Sequence, residues 1–234
     1  MKKVTRCLVQ IFKSQHSIGK VLDDSITASN VWICIATGRA QLRDVTFTDK
    51  AYSLQRVKQD YKTLSKVLKE IVLVWGGKKA LGDTPSDYLG FLSYLENDVL
   101  AVRDEFMAEN HCALVPISNR SDVFLMFYNH IMQRVSKKKQ QKILSGLSGA
   151  RTYFAKAKAN TLIAKWLVKR KYKKSNFGQL KMNRNIRSHA YDYTKHDIEV
   201  ELYYEYPDLL VEIQLQLHNE QELERTQIHG KFGY

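Results

Sequence analysis

From Thr48 onward the apolar positions of the chain fall at helical spacing. Leu54, Val57, Tyr61, Leu64, Leu68, Ile71 and Trp75 recur at alternating intervals of three and four, which predicts one apolar stripe on a long helix stopped by Gly76-Gly77. Thr84-Pro85-Ser86-Asp87 offers an N-cap, a proline at the first helical position and a carboxylate near the orphan N–H groups. The stripe of the second helix is Tyr88, Leu92, Leu95, Val99, Val102 and Phe106, and Asn110-His111 ends it. Two such seams predict an antiparallel helical pair inside a bundle. Ser121-Asp122 caps a third helix with Phe124, Tyr128, Ile131 and Val135 on one face, and Lys137 to Lys139 occupy its last turns, the end of the dipole that favours cations. After Gly146 and Gly149 a fourth helix runs to about Lys174, with Leu162, Ile163, Trp166 and Leu167 toward the core.

Both ends of the chain read differently. Residues 3 to 12 and 31 to 36 are rich in β-branched and apolar types and are expected as strands, with 43 to 48 a third. Near the C-terminus Ile198, Val200, Leu202 and Tyr204, then Val211, Ile213, Leu215 and Leu217, alternate with polar positions about a turn at Tyr206-Pro207-Asp208, which predicts a hairpin. The expected fold is therefore α+β: a central helical bundle with a small sheet built from N-terminal strands and a C-terminal hairpin. It is read as a single domain over 1–234, with a β-rich segment at 1–48, the bundle at 49–175, and a basic loop and acidic β-hairpin at 176–234.

At 234 residues and 44% hydrophobic the chain can bury a substantial core. Cys7, Cys34 and Cys112 are odd in number and far apart, as expected of free buried thiols in a reducing, cytoplasmic setting. Gln10 and Lys13 interrupt the apolar residues before a signal peptide could form, and the longest apolar runs are too short to span a bilayer.

The net charge of +13 changes the picture through its distribution. Between Asp122 and Asp192 there is no acidic residue, yet the interval holds 17 Lys and Arg, while the rest of the chain has 20 basic and 24 acidic residues. Like charges kept together without a carboxylate repel one another, so a polyanionic partner is the natural explanation. Residues 123 to 191 are expected to meet the phosphate backbone of RNA or DNA. The contacts assigned are Lys137, Lys138, Lys139, Lys142, Lys158, Lys165, Lys169, Arg170, Lys171, Lys173, Lys174, Lys181 and Arg187, with Tyr153, Phe154, Trp166, Tyr172 and Phe177 interleaved for stacking on bases. Two other accounts fit the same pattern: the acidic C-terminal segment, ten carboxylates strong from Asp192, folds against the basic one, or the basic face meets an anionic membrane surface.

One constellation is chemically specific: Arg184-Asn185-Ile186-Arg187-Ser188-His189-Ala190-Tyr191. It resembles the R-x4-H motif of the HEPN superfamily of metal-independent ribonucleases and RNA-binding domains, and the polar residue after the arginine and the following H-x-Y also match its toxin subfamily. Arg187 stands where that family usually has an aliphatic residue. The resemblance implies that Arg184 neutralises a scissile phosphate, His189 moves the proton of the attacking 2′-hydroxyl and Asn185 orients them. It also implies that Tyr191 sits at a position adenylylated in some toxin pairs and that the site forms between two protomers of a homodimer. The alternative is a basic loop of phosphate-contacting arginines with a hydrogen-bonded histidine.

Other motifs exclude more than they suggest. His189 and His196 have no third ligand at suitable spacing, so no metal is expected, and no cofactor motif occurs. Gly76-Gly77-Lys78-Lys79 lacks the pattern of a phosphate loop and follows a helix, so it reads as a helix stop. Three functions remain: a nucleic-acid-binding subunit of a ribonucleoprotein, defence or mobile-element complex; a HEPN-like ribonuclease; and a scaffold for an acidic protein partner.

Overall fold

The computed structural model describes residues 1–234 except 51, 78, 81, 98–103, 170, 190–194 and 234, and of 168, 169, 195 and 196 the backbone alone. Its architecture is α+β, with eleven α-helices and two small antiparallel sheets among the described residues. The chain, expected as one domain, packs as two compact units, Met1–Leu114 and Val115–Gly233. No helix among the described residues is long and apolar enough to cross a membrane.

In the first unit residues 3 to 12 are not a strand but part of α1 (Lys2–Ser17). The β-branched content misleads there, because Val4, Leu8, Phe12 and His16, with Thr5 and Val9 beside them, repeat every four residues and are all buried. The β-structure is β1 (Val21–Leu22), β2 (Val31–Cys34), β3 (Arg39–Leu42) and β4 (Phe47–Thr48). Strands β2 and β3 form a hairpin in the register Val31↔Leu42 to Cys34↔Arg39, and β1 pairs with β4. Cys34 lies on the outward face of β2 and is exposed, so only Cys112 is the fully buried thiol expected of all three.

The long helix predicted after Thr48 is α2 (Leu54–Gly76), capped by Ser53, whose side chain accepts from the Arg56 N–H. Val57, Tyr61, Leu64, Leu68 and Ile71 of its stripe are buried, and Gly77 ends it at φ 72°, a conformation that favours glycine. Helices α3 (Ser86–Leu95) and α4 (Glu105–Glu109) carry Tyr88, Leu92, Leu95 and Phe106 of the next stripe; Val99 and Val102 lie outside the described residues.

The core of this unit is organised around a buried histidine. His16 Nδ1 lies 2.6 Å from Glu105 Oε1 and Nε2 lies 3.0 Å from Asp60 Oδ2. Tyr61 donates its hydroxyl to Glu105 at 2.7 Å, and the Leu22 N–H donates to Asp60 at 3.0 Å. Burial alone would lower the imidazole pKa. The hydrogen bonds and charges of Asp60 and Glu105 outweigh it and raise His16 above its ordinary 6.5. With the folded value above the unfolded one, the stabilisation is complete below the unfolded value and is lost as pH rises through the folded one. Resistance of the chain to urea is thus expected to fall as pH rises from about 6.5, and His16→Gln, which removes the cation between two buried carboxylates, to lose that slope and about 3–5 kcal/mol. A stability profile of the parent chain that stays flat from neutral to alkaline pH contradicts this account.

The second unit comprises α5 (Ile117–Gln133), α6 (Lys137–Ser145), α7 (Tyr153–Ala159), α8 (Thr161–Lys169), α9 (Asn176–His189), α10 (Lys195–Glu205) and α11 (Leu209–Asn219). Three expectations are corrected. Lys137 to Lys139 do not end the third helix; they begin α6, where Ser136 caps the Lys139 N–H and the dipole disfavours cations. The fourth helix is broken at Asn160, whose Oδ1 accepts from the Leu162 and Ile163 N–H groups and starts α8. The C-terminal hairpin is the helical pair α10 and α11. Ile198, Leu202 and Tyr206, then Leu209, Leu210, Ile213 and Leu217, are buried at helical spacing, whereas Val200, Tyr204 and Leu215, which completed the alternation, are exposed.

Candidate nucleic-acid interface

Helix α9 positions the candidate site, and its inward side fixes how it lies. Arg187, with its side chain 4% exposed, grips Glu199 of α10 through two hydrogen bonds, Nε to Oε2 at 2.9 Å and Nη2 to Oε1 at 3.0 Å. Its Nη1 donates to Asn183 at 2.9 Å and its guanidinium lies 4.2 Å from the centre of the Phe124 ring on α5. Ser121 donates to Glu199 at 2.7 Å, and Arg120, also buried, approaches the same carboxylate at 3.9 Å. This corrects the assignment of Arg187 to a phosphate contact: it is a core residue of a three-helix junction.

The motif occupies the same C-terminal turns of α9. Arg184 Nη1 donates to Asn185 Oδ1 at 3.1 Å and lies 3.4 Å from His189 Nε2. A guanidinium has no lone pair to offer, so in this contact Arg184 donates and Nε2 accepts. Asn185 is 2% exposed, and its Nδ2 donates to the Tyr172 hydroxyl at 3.0 Å. That bond sets the orientation of the amide and turns Oδ1 toward Arg184. Burial raises the Tyr128 phenol above its ordinary value against the opposing charge of Arg184, which places that hydroxyl in the field of the guanidinium. Arg184, Asn185 and His189 are thus brought together; Tyr191 lies outside the described residues. Sequence reading gave Tyr172 a stacking role and Tyr128 a core position, and the helical period of 176–189, hidden among polar residues, was the signal that could have joined them to the motif.

Tyr172 belongs to a basic loop, 171–175, that is fastened on both sides. The Tyr153 hydroxyl donates to the Lys173 carbonyl, and Lys174 Nζ lies 5.3 Å above the Phe154 ring. A Cβ at Gly178 would fall on that same carbonyl, so the loop can approach α9 only because residue 178 is glycine. Tyr153 is fully buried and not free to stack on a base, while Phe177 is 41% exposed.

The predicted lysines divide by their partners. Lys139 pairs with Glu222 at 2.6 Å and Lys142 with Glu220 at 3.3 Å, on the segment that follows α11. Burial would raise the Glu222 carboxyl, but hydrogen bonds from Lys139 and with His130 hold it below the usual range. Lys137, Lys138, Lys158, Lys165, Lys171, Lys173 and Lys181 are exposed, and among the described residues none pairs with a carboxylate. The Lys169 side chain and Arg170 lie outside the described residues. The second unit carries 21 Lys and Arg against 11 Asp and Glu. The acidic helices therefore do fold against the basic segment, as one expectation had it, but among the described residues they leave these seven exposed lysines without a carboxylate partner.

No family model matches the chain, and no curated protein matches it.

Removing Arg187 strands Glu199 in the core, so Arg187→Ala is expected to lower unfolding free energy by about 3–5 kcal/mol, whereas Lys158→Ala should change it by less than about 0.5. Chemical denaturation of the two variants checks this, and equal stabilities would remove Arg187 from the core.

Proposed function

We propose that the second unit binds the phosphate backbone of a nucleic acid through the exposed lysines of α6 to α9 and the 171–175 loop. The observation that carries this reading is the set of seven exposed lysines without a carboxylate partner among the described residues, on a surface whose acidic neighbours are already engaged. A monomeric protein gains no stability from such a surface, and a polyanion neutralises it with release of counterions. Binding to single-stranded RNA or duplex DNA is expected to weaken steeply with salt, log K falling about 0.7–0.9 per phosphate contact against log [salt]. Lys171→Glu with Lys173→Glu should reduce both the affinity and the slope. A flat salt dependence contradicts the reading, and binding of an acidic protein instead would favour a scaffold.

A second reading rests on one specific observation, the hydrogen-bonded set Arg184, Asn185, His189 and Tyr172 in a helical setting. It is a metal-independent ribonuclease in which Arg184 turns from His189 to the scissile phosphate and neutralises it, while the freed Nε2 of His189 takes the proton of the 2′-hydroxyl that attacks the phosphorus. Arg187, buried on Phe124, fills the position where the HEPN motif has an aliphatic side chain, so that departure keeps the packing role. A homodimer would complete such a site. Incubation with RNA in EDTA is expected to give cleavage that His189→Ala abolishes and that spares DNA, which lacks the 2′-hydroxyl. Tyr172→Phe, which frees the Asn185 amide, should slow it by one to two orders of magnitude, by analogy with outer groups that orient catalytic residues. Intact RNA under these conditions rules the enzyme out and leaves the binding reading in place.

A further inference from the structure

The second unit holds a small polar pocket of about 90 Å³ lined by residues of α7, α9, α11 and the turns between them. Gln179 of α9 is 2% exposed, and its Oε1 is buried without a hydrogen-bond partner. Gly149 lies against this amide, because a Cβ there would collide with both Oε1 and Nε2 of Gln179. Beside it Ser148 donates its N–H to Glu212 at 3.2 Å and its hydroxyl to the same carboxylate, which fixes Glu212 in the pocket wall. Thr152, Lys156 and the turn Tyr206-Pro207-Asp208-Leu209 complete the lining, and Lys156 is exposed at its outer side. A carboxamide held flat on a glycine with an unpaired oxygen is an expensive feature unless something donates to it.

We propose that this pocket receives one unpaired nucleobase carrying an amino group next to a ring acceptor nitrogen, adenine or cytosine, from a single-stranded chain whose phosphates lie on the neighbouring lysines. The inference rests on the nucleic-acid reading above and adds base selection to it. Once the Gln179 amide rotates its buried oxygen into the pocket, it matches such an edge with two hydrogen bonds, the oxygen accepting from the amino group and the nitrogen donating to the ring. Glu212 takes the second amino proton, and uracil, which would turn a carbonyl toward that carboxylate, is disfavoured. Lys156 meets the backbone of the same nucleotide. A base stacked in a duplex cannot enter a pocket of this size, so the site selects single strands.

Fluorescence anisotropy with labelled eight-nucleotide chains of rA, rC, rU and an abasic backbone tests this. The parent protein is expected to bind rA and rC about tenfold more tightly than rU or the abasic chain. Gln179→Leu should bring all four to the abasic level without weakening abasic binding. Its unfolding temperature should not fall below the parent's, since the substitution removes an unpaired buried amide. Gly149→Ala, which displaces the amide, should lose the same preference. Equal affinity of the parent for all four chains, or a preference that survives Gln179→Leu, overturns the pocket while leaving backbone binding intact. Failure of the parent to bind any of the four overturns the pocket together with the reading beneath it.

Discussion

The bidentate pair between Arg187 and Glu199 is the contact on which the second unit depends. It joins the one acid-free segment of the chain to its acidic C-terminal helices in a place where neither charge meets water, and it includes α5 through Ser121 and the Phe124 ring. Burying two charges is favourable only when geometry is good and the remaining donors and acceptors are occupied. Here Asn183 and Ser121 take those roles. The pair therefore specifies which side of α9 faces inward. With Arg187 and Asn183 committed to the core, Lys181 is left exposed and Arg184 is turned toward His189.

That division explains how one segment can be both folded and strongly basic. Glu199 and Glu222 neutralise cations at the junctions between helices, where an unpaired charge would be most damaging, and Glu220 pairs with Lys142 at the surface. Lys158, Lys165, Lys171 and Lys173 are left to solvent, where their mutual repulsion is screened by salt and relieved by an anion. The loop itself is held by the Tyr153 hydroxyl and by the close approach at Gly178, so its lysines are presented on a fixed backbone. Preorganisation of this kind lowers the entropy lost on binding.

Much of this was legible in the sequence where a single period dominated. The α2 stripe from Val57 to Ile71 is buried as its spacing required, and the β2 strand falls within the predicted 31–36 run. Residues 3 to 12 were misread because Val4, Val9 and Ile11 suggest a strand by type while Val4, Leu8 and Phe12 define a helix by spacing, and burial follows spacing. The C-terminal alternation failed for a different reason. Val200, Tyr204 and Leu215 are apolar yet exposed, so a helix carrying a few outward apolar residues imitated period two. Within the site, Arg184 and His189 were found by motif, but Arg187 looked like one more phosphate contact because its partner lies twelve residues further along the chain. Long-range pairing of that kind has no local signature.

The central claim is that a nucleic acid is held by the outer lysines of the second unit while its acidic helices stay in place. Amide hydrogen exchange with and without a saturating single-stranded RNA measures this directly. The account predicts slowed exchange across 137–189, strongest in the 171–175 loop, with α10 and the 220–225 segment unchanged. Protection confined to Met1–Leu114, or faster exchange in α10 and α11 as RNA displaces them, would contradict it.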